Sequence, residues 1–193
     1  MSSFSLSRSL SKWRDTTLSF VLEECGGNGS CLFHCVAVGA SRLLHQTWSM
    51  EYVRDRLAAS ITEKTLYEFI ELLMEDQKQH IINGSQQIDH SFDLQKIQEL
   101  ISEPGPRFQG SDITLRWLIT RDPVFKKYGI GFVLFSSFGP GYTEILNEEA
   151  ANHFILLFNH ANVHWQLVNV VDVDNRGFSS ISSDTLQKLK ARL

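Results

Sequence analysis

The chain has 193 residues, a formal net charge of −4 at pH 7, 42% hydrophobic residues and 21% charged residues. This length and composition are typical of a single globular domain with a core of its own. The slight acidic excess argues against a nucleic-acid partner, because such proteins usually carry a strongly basic surface. No apolar run approaches the ~20 residues of a membrane-spanning helix, so no membrane span is expected.

The three cysteines all lie between positions 25 and 35. Cysteines this close together do not form a disulfide framework, and their spacing matches no zinc site. We therefore expect a reducing, cytoplasmic setting and no bound metal.

Residues 1–16 are rich in serine, and their charged residues are basic up to Asp15. This composition predicts an N-terminal arm outside the domain. Residues 17–193 are expected to form one domain.

The segment 17–31 predicts a strand, a glycine-rich turn and the start of a buried helix. Residues 17–22 alternate in polarity, and apolar residues then recur at helical spacing over 31–45. With Ser30 as N-cap, Cys31 falls in the first turn, where free N–H groups and the helix dipole favour a thiolate. A nucleophile beside glycine amides suits acyl transfer. Cys25 and Cys35 are expected to be core residues.

Residues 49–105 are helical in pattern and form a predicted helical arm. Ser49 is a candidate cap, and residues 60–63 resemble a capping box that opens a longer helix ending near 83–84. A further helix near 94–101 is expected to end at Pro104.

The remaining elements alternate between helix and strand patterns. The predicted elements are a helix from Ser111 that stops at Pro123, strands at 130–135 and 142–145 around a turn at 139–141, and a short helix at 184–193. The expected fold class is therefore α+β, with helices packed against a small sheet.

Two apolar runs, 153–158 and 163–170, flank a short polar turn and predict a hairpin. Side chains alternate along a strand, so His164 and Gln166 share one face and Trp165 points to the other. A histidine held by a neighbouring polar side chain is the base that a cysteine nucleophile requires. The predicted site lies between the helix that begins at Cys31 and this last strand.

Several segments together resemble the OTU (ovarian tumour) family of cysteine proteases, most of which are deubiquitinases. They are NGSCLF at 28–33, HWQ at 164–166, FQGSDITL at 108–115 and IGFVLF at 130–135. The resemblance covers most of residues 17–172 and implies a papain-like fold with the nucleophile at the N-terminus of a buried helix.

The resemblance implies a role for each matching residue. Cys31 would be the nucleophile, His164 the base and Gln166 the residue that orients it. The loop at Asn28 and Gly29, with the N–H of Cys31, would bind the oxyanion. Trp165 would wall a narrow substrate channel.

Two positions depart from the family pattern. Asn28 stands where the family usually has aspartate, and Gln166 stands where Asp or Asn is common. A glutamine can accept a hydrogen bond from His164, but it cannot stabilise an imidazolium as a carboxylate would. Asp172 or Asp174 could supply that charge if the strand bends back.

The resulting hypothesis is a monomeric cysteine-type deubiquitinase that hydrolyses bonds after the C-terminal glycine of ubiquitin or a ubiquitin-like modifier. The alternative is a ubiquitin-binding module with weak or no catalysis on the same scaffold. No cofactor is implied. The compact domain resembles viral and bacterial-effector members of the family, for which the location would be the host cytosol.

Overall fold

A computed structural model describes residues 19–79, 85–136, 143–160, 164–171 and 177–190. The predicted arm at 1–16 and the predicted turns at 83–84 and 139–141 lie outside these residues. So do Asp172 and Asp174.

Seven helices occur in the described ranges. They are α1 (Cys31–Leu44), α2 (Met50–Ala59), α3 (Leu66–Gln79), α4 (Leu94–Ser102), α5 (Asp112–Arg121), α6 (Pro123–Tyr128) and α7 (Ser183–Lys190). None of these described helices combines the length and apolar character needed to cross a bilayer.

Seven strands form one sheet. They are β1 (Ser19–Glu23), β2 (Ile130–Ser136), β3 (Thr143–Leu146), β4 (His153–His160), β5 (His164–Val171), β6 (Gly177–Phe178) and β7 (Ser180–Ser182). The main order is β1-β5-β4-β2-β3, while β6 pairs with β5 and β7 with β4. Only β2 and β4 are parallel among these described pairs.

The sheet has an apolar core on each face. Alternation along β5 sends Trp165 and Leu167 into the main core, which is shared with α1 to α6, and sends Val168 and Val170 into a smaller core. Leu186 of α7 is fully buried in that second core. Both faces are covered, which explains why β2 and β4 are nearly continuous apolar runs.

The α+β prediction is confirmed, with a sheet packed against helices and α1 lying on β5 and β4. The predicted hairpin is present as β4 and β5, although its strands extend to the pair His160 and His164. The predicted strand at 142–145 is β3.

One predicted helix boundary was wrong, and one further helix was not predicted. The helix after Ser60 begins at Leu66, because Thr62 and Thr65 form the preceding turn through the Thr62 N–H and Thr65 Oγ1. Ser60 instead donates to the carbonyl of Leu57 at the end of α2. Pro123 does end α5, but it also opens α6, since proline lacks only an N–H that the first turn leaves unpaired.

The fully buried Asp122 lies between α5 and α6 and also binds α2. Its carboxylate accepts from the N–H groups of Val124 at 2.8 Å and Phe125 at 3.1 Å, which caps α6. It also accepts from Nε of Arg56 on α2 at 2.8 Å. A buried charge held this way is costly to unpair, because the remaining partner cannot recover its hydration.

We expect Asp122→Ala to lower the free energy of unfolding by about 3–5 kcal/mol, since it removes the cap and leaves Arg56 unpaired. The measurement is urea denaturation at pH 7. Asp112→Ala is the control, because Asp112 is only half-buried and lies 3.6 Å from Arg116; its expected cost is about 1 kcal/mol or less. Equal losses in the two variants would contradict the role of Asp122.

Candidate active site

The turn before α1 has a constrained backbone. Asn28 and Gly29 both adopt left-handed conformations, with φ of 55° and 78°. Gly29 also packs closely against a second loop, since a Cβ on it would lie 2.5 Å from Cα of Pro106. Glycine is therefore required here both by conformation and by space. Ser30 follows this turn, and Cys31 is the first residue of α1.

Cys31 is buried, with a relative exposure of 6%. Burial raises the pKa of its thiol, although the backbone N–H groups of Trp165, Leu32 and Cys31 itself act in the opposite direction. The expectation of a lowered thiol pKa was therefore wrong for this conformation, because desolvation of the thiolate outweighs the helix terminus.

A carboxylate that is not among the predicted site residues lies beside the predicted base. Glu24 Oε2 is 2.6 Å from Nε2 of His164. The other carboxylate oxygen, Oε1, accepts a hydrogen bond from the Gln166 amide. Gln166 was predicted to orient His164, but in this structure the contact between them passes through Glu24.

The pairing of β1 with β5 brings Glu24 to this position. Glu23 lies opposite Leu167 in the antiparallel register, so the next residue, Glu24, follows toward Gln166. The sequence offered one signal for Glu24, which is a polar residue directly after a segment with the alternating pattern of a strand. It offered no indication that the first strand would pair with the strand that carries the histidine.

The backbone of Trp165 connects the two halves of the site. Its N–H lies beside the Cys31 thiol, and its carbonyl accepts from the Cys35 thiol at 3.5 Å. Its side chain is 4% exposed and belongs to the main core. The indole therefore lines no open surface in this structure, and the role of Trp165 as a channel wall stays a prediction.

His164 and Cys31 are neighbours through Trp165, but within the described residues no hydrogen bond joins them. Because Glu24 occupies Nε2, the Nδ1 atom of His164 is the ring nitrogen left to act on the thiol. Catalytic hydrogen bonds are often long without substrate and shorten when it binds. The arrangement can thus supply a nucleophile, a base and an orienting carboxylate once the ring approaches the sulfur.

The other two cysteines are free thiols. Cys35 is fully buried, and both a hydrogen bond with Cys25 and burial raise the pKa of its thiol. A thiol in that environment is a poor nucleophile. In the described ranges, no group of three His, Cys, Asp or Glu side chains could hold a metal ion.

No protein-family model matches the sequence, and no curated protein sequence matches it significantly. Solved structures do match the fold. An OTU domain in complex with ubiquitin aligns with a TM-score of 0.51 at 14% identity, over 91% of this chain and 83% of that chain.

An OTU deubiquitinase from Wolbachia pipientis wMel aligns with a TM-score of 0.52 at 12% identity, over 88% of this chain and 95% of that chain. The chain has the fold of an OTU domain. At this level of identity the likeness concerns the fold, and it confirms the OTU-like architecture that the sequence motifs predicted.

In this OTU-type fold, we expect neutral His164 to carry its proton on Nε2, because Glu24 Oε2 accepts a hydrogen bond there. The measurement is the pair of imidazole ¹⁵N chemical shifts at a pH where the ring is neutral. Glu24→Ala should remove this preference. Glu23→Ala is the matched control, since Glu23 binds Arg42 instead. A proton on Nδ1 in the wild-type protein would contradict the assignment.

Proposed function

We propose that the protein is a cysteine-type deubiquitinase that hydrolyses the bond after the C-terminal glycine of ubiquitin or a related modifier. The observation that carries the proposal is the position of Cys31 at the start of α1, beside the backbone N–H of Trp165 and hence next to His164. The OTU-type fold supports it, as does the ubiquitin bound to one of the matching OTU domains. The proposal includes a cytoplasmic setting and a monomer.

In the proposed reaction, Nδ1 of His164 takes the proton of the Cys31 thiol, and the sulfur attacks the glycine carbonyl carbon. The tetrahedral oxyanion is bound by the N–H of Cys31 and the loop at Asn28 and Gly29, where each well-placed donor contributes about 3 kcal/mol. Collapse of the intermediate expels the lysine amine, which takes the proton from His164. Water, activated by the same imidazole, then hydrolyses the thioester.

Glu24 has the role of the orienting acid in this mechanism. Its carboxylate fixes the ring and stabilises the imidazolium that forms when Cys31 loses its proton. Gln166 holds that carboxylate through its other oxygen. This assignment supplies the negative charge that Asn28 and Gln166 lack.

A ubiquitin-binding module with weak catalysis remains the second candidate. Two observations favour it: burial raises the thiol pKa of Cys31, and no hydrogen bond joins Cys31 to His164 in the described part of the chain. Both describe the protein without substrate, so a substrate-based experiment separates the two candidates.

We expect a ubiquitin probe with a C-terminal electrophile to form a covalent adduct with the wild-type protein, and Cys31→Ala to abolish it because the sulfur is lost. Adducts are detected by intact-protein mass spectrometry. Cys25→Ala and Cys35→Ala are controls that should retain capture, although Cys35→Ala is expected to lower stability.

Binding of ubiquitin without capture would support the module. Capture that persists in Cys31→Ala and disappears in Cys35→Ala would place the nucleophile one helical turn further along α1.

We expect His164→Ala to lower kcat for diubiquitin cleavage by about 10³-fold or more, since it removes the base. Glu24→Gln should cost roughly tenfold to a hundredfold, because the ring keeps a partner but loses the charge. Gln166→Ala should cost less than either, since it acts only through Glu24. The check is steady-state kinetics, with His153→Ala as a control on the preceding strand. A fully active Glu24→Gln variant would point to an acid elsewhere, such as Asp172 or Asp174.

A further inference from the structure

Arg54 lies on α2 as a fully buried cation beneath the nucleophile turn. Its guanidinium donates to the carbonyls of Ile101 at 2.7 Å and Phe108 at 2.9 Å, and to Oγ of Ser30 at 2.9 Å. The carbonyl of Gly105 is a weaker acceptor at 3.3 Å. One hydroxyl of the turn, one carbonyl at the end of α4 and two carbonyls of the loop after α4 thus converge on a single guanidinium.

All of these acceptors are neutral. Among the described residues Arg54 forms no salt bridge, its Nε has no hydrogen-bond partner, and its guanidinium carbon lies 4.2 Å from the ring centre of Phe33. A buried cation without a carboxylate carries a large desolvation cost. Burial lowers the pKa of Arg54 to about 10, and the charges of Cys31 and Glu51 oppose that shift. The guanidinium also lies close to Cys31 along the chain, since it binds Oγ of Ser30, the residue directly before Cys31.

The hydroxyl of Ser30 takes part in these hydrogen bonds and does not cap α1. A serine at the N-cap position usually accepts from a helix N–H, but the Ser30 side chain makes no such bond. Its Oγ accepts from Arg54 and, at 3.3 Å, from the N–H of Gly105. The neighbouring Gly29 packs on Pro106. The turn that carries the proposed oxyanion-binding amides is thus linked through Arg54 to the end of α4 and to the loop that follows it.

We propose that Arg54 is a positioning residue for the nucleophile: it holds the turn at residues 28–31 through Ser30 and places a fixed positive charge beneath Cys31. The charge favours the thiolate, and the hydrogen bonds fix the amides that face the oxyanion. The expected effect of Arg54 on turnover rests on the proposed function. Its expected effect on the Cys31 thiol does not depend on any substrate.

Arg56 provides the comparison within the same helix. Arg56 is partly buried, and its charge is paired with the carboxylate of Asp122. Arg54 has instead only neutral acceptors and lies next to the residue preceding Cys31.

The first test measures the pH dependence of iodoacetamide alkylation at Cys31, resolved by mass spectrometry on the full chain. We expect Arg54→Gln to move the midpoint upward by about 1 pH unit, because an opposite charge near the thiolate is lost. Arg56→Gln is the control, with an unchanged midpoint despite a lower stability. An unchanged midpoint in folded Arg54→Gln would overturn the role of the charge.

The second test keeps the charge and alters the geometry. Arg54→Lys and Ser30→Ala should leave the alkylation midpoint near that of the wild type, while kcat on a ubiquitin substrate falls about tenfold or more with little change in KM. Wild-type kcat in both variants would overturn the positioning role, and this arm decides the question if Arg54→Gln does not fold. If the wild-type protein cleaves no ubiquitin substrate, the proposed function fails, whereas the alkylation comparison still decides whether Arg54 acts on Cys31.

Discussion

The contact between α1 and β5 is the constraint on which the site depends. One peptide segment, at Trp165, meets Cys31 with its N–H and Cys35 with its carbonyl. The indole of the same residue is buried in the main core. The separation between the Cys31 thiol and His164 is therefore set by core packing. A loss of packing at this point would change the positions of both groups.

Burial disfavours the charged forms of the two groups nearest the turn, so it shifts their pKa values in opposite directions. It disfavours the thiolate of Cys31, and it also disfavours the cation of Arg54. Each charge is costly alone, and the two attract each other, so the pair is more favourable than either charge by itself. The helix terminus contributes less here than the desolvation of the sulfur, although Cys31 lies in its first turn, because burial penalises the thiolate more than the N–H groups favour it.

The elements that follow a local pattern were predictable from the sequence. The glycine-rich turn, α1 and the β4–β5 hairpin come from spacing and turn residues, and the structure contains all three. Glu24 and Arg54 were not predictable in the same way, since each acquires its role from residues far along the chain. The hydrogen bonds of Glu24 depend on a strand pairing, and those of Arg54 depend on the end of α4 and the loop after it, more than forty residues away. For Trp165, alternation predicted the side of the sheet that the indole takes, but it could not predict that the main core covers that side.

The pairing of β1 with β5 joins the first described strand to one near the end of the chain. During synthesis, α1 and its thiol leave the ribosome well before the histidine, and Glu24 has no strand to pair with until β5 emerges. Such non-local contacts form late in folding. A nascent chain or a product truncated before residue 164 would carry Cys31 without the proposed base, so the proposed reactive centre is assembled only after β5 has been synthesised.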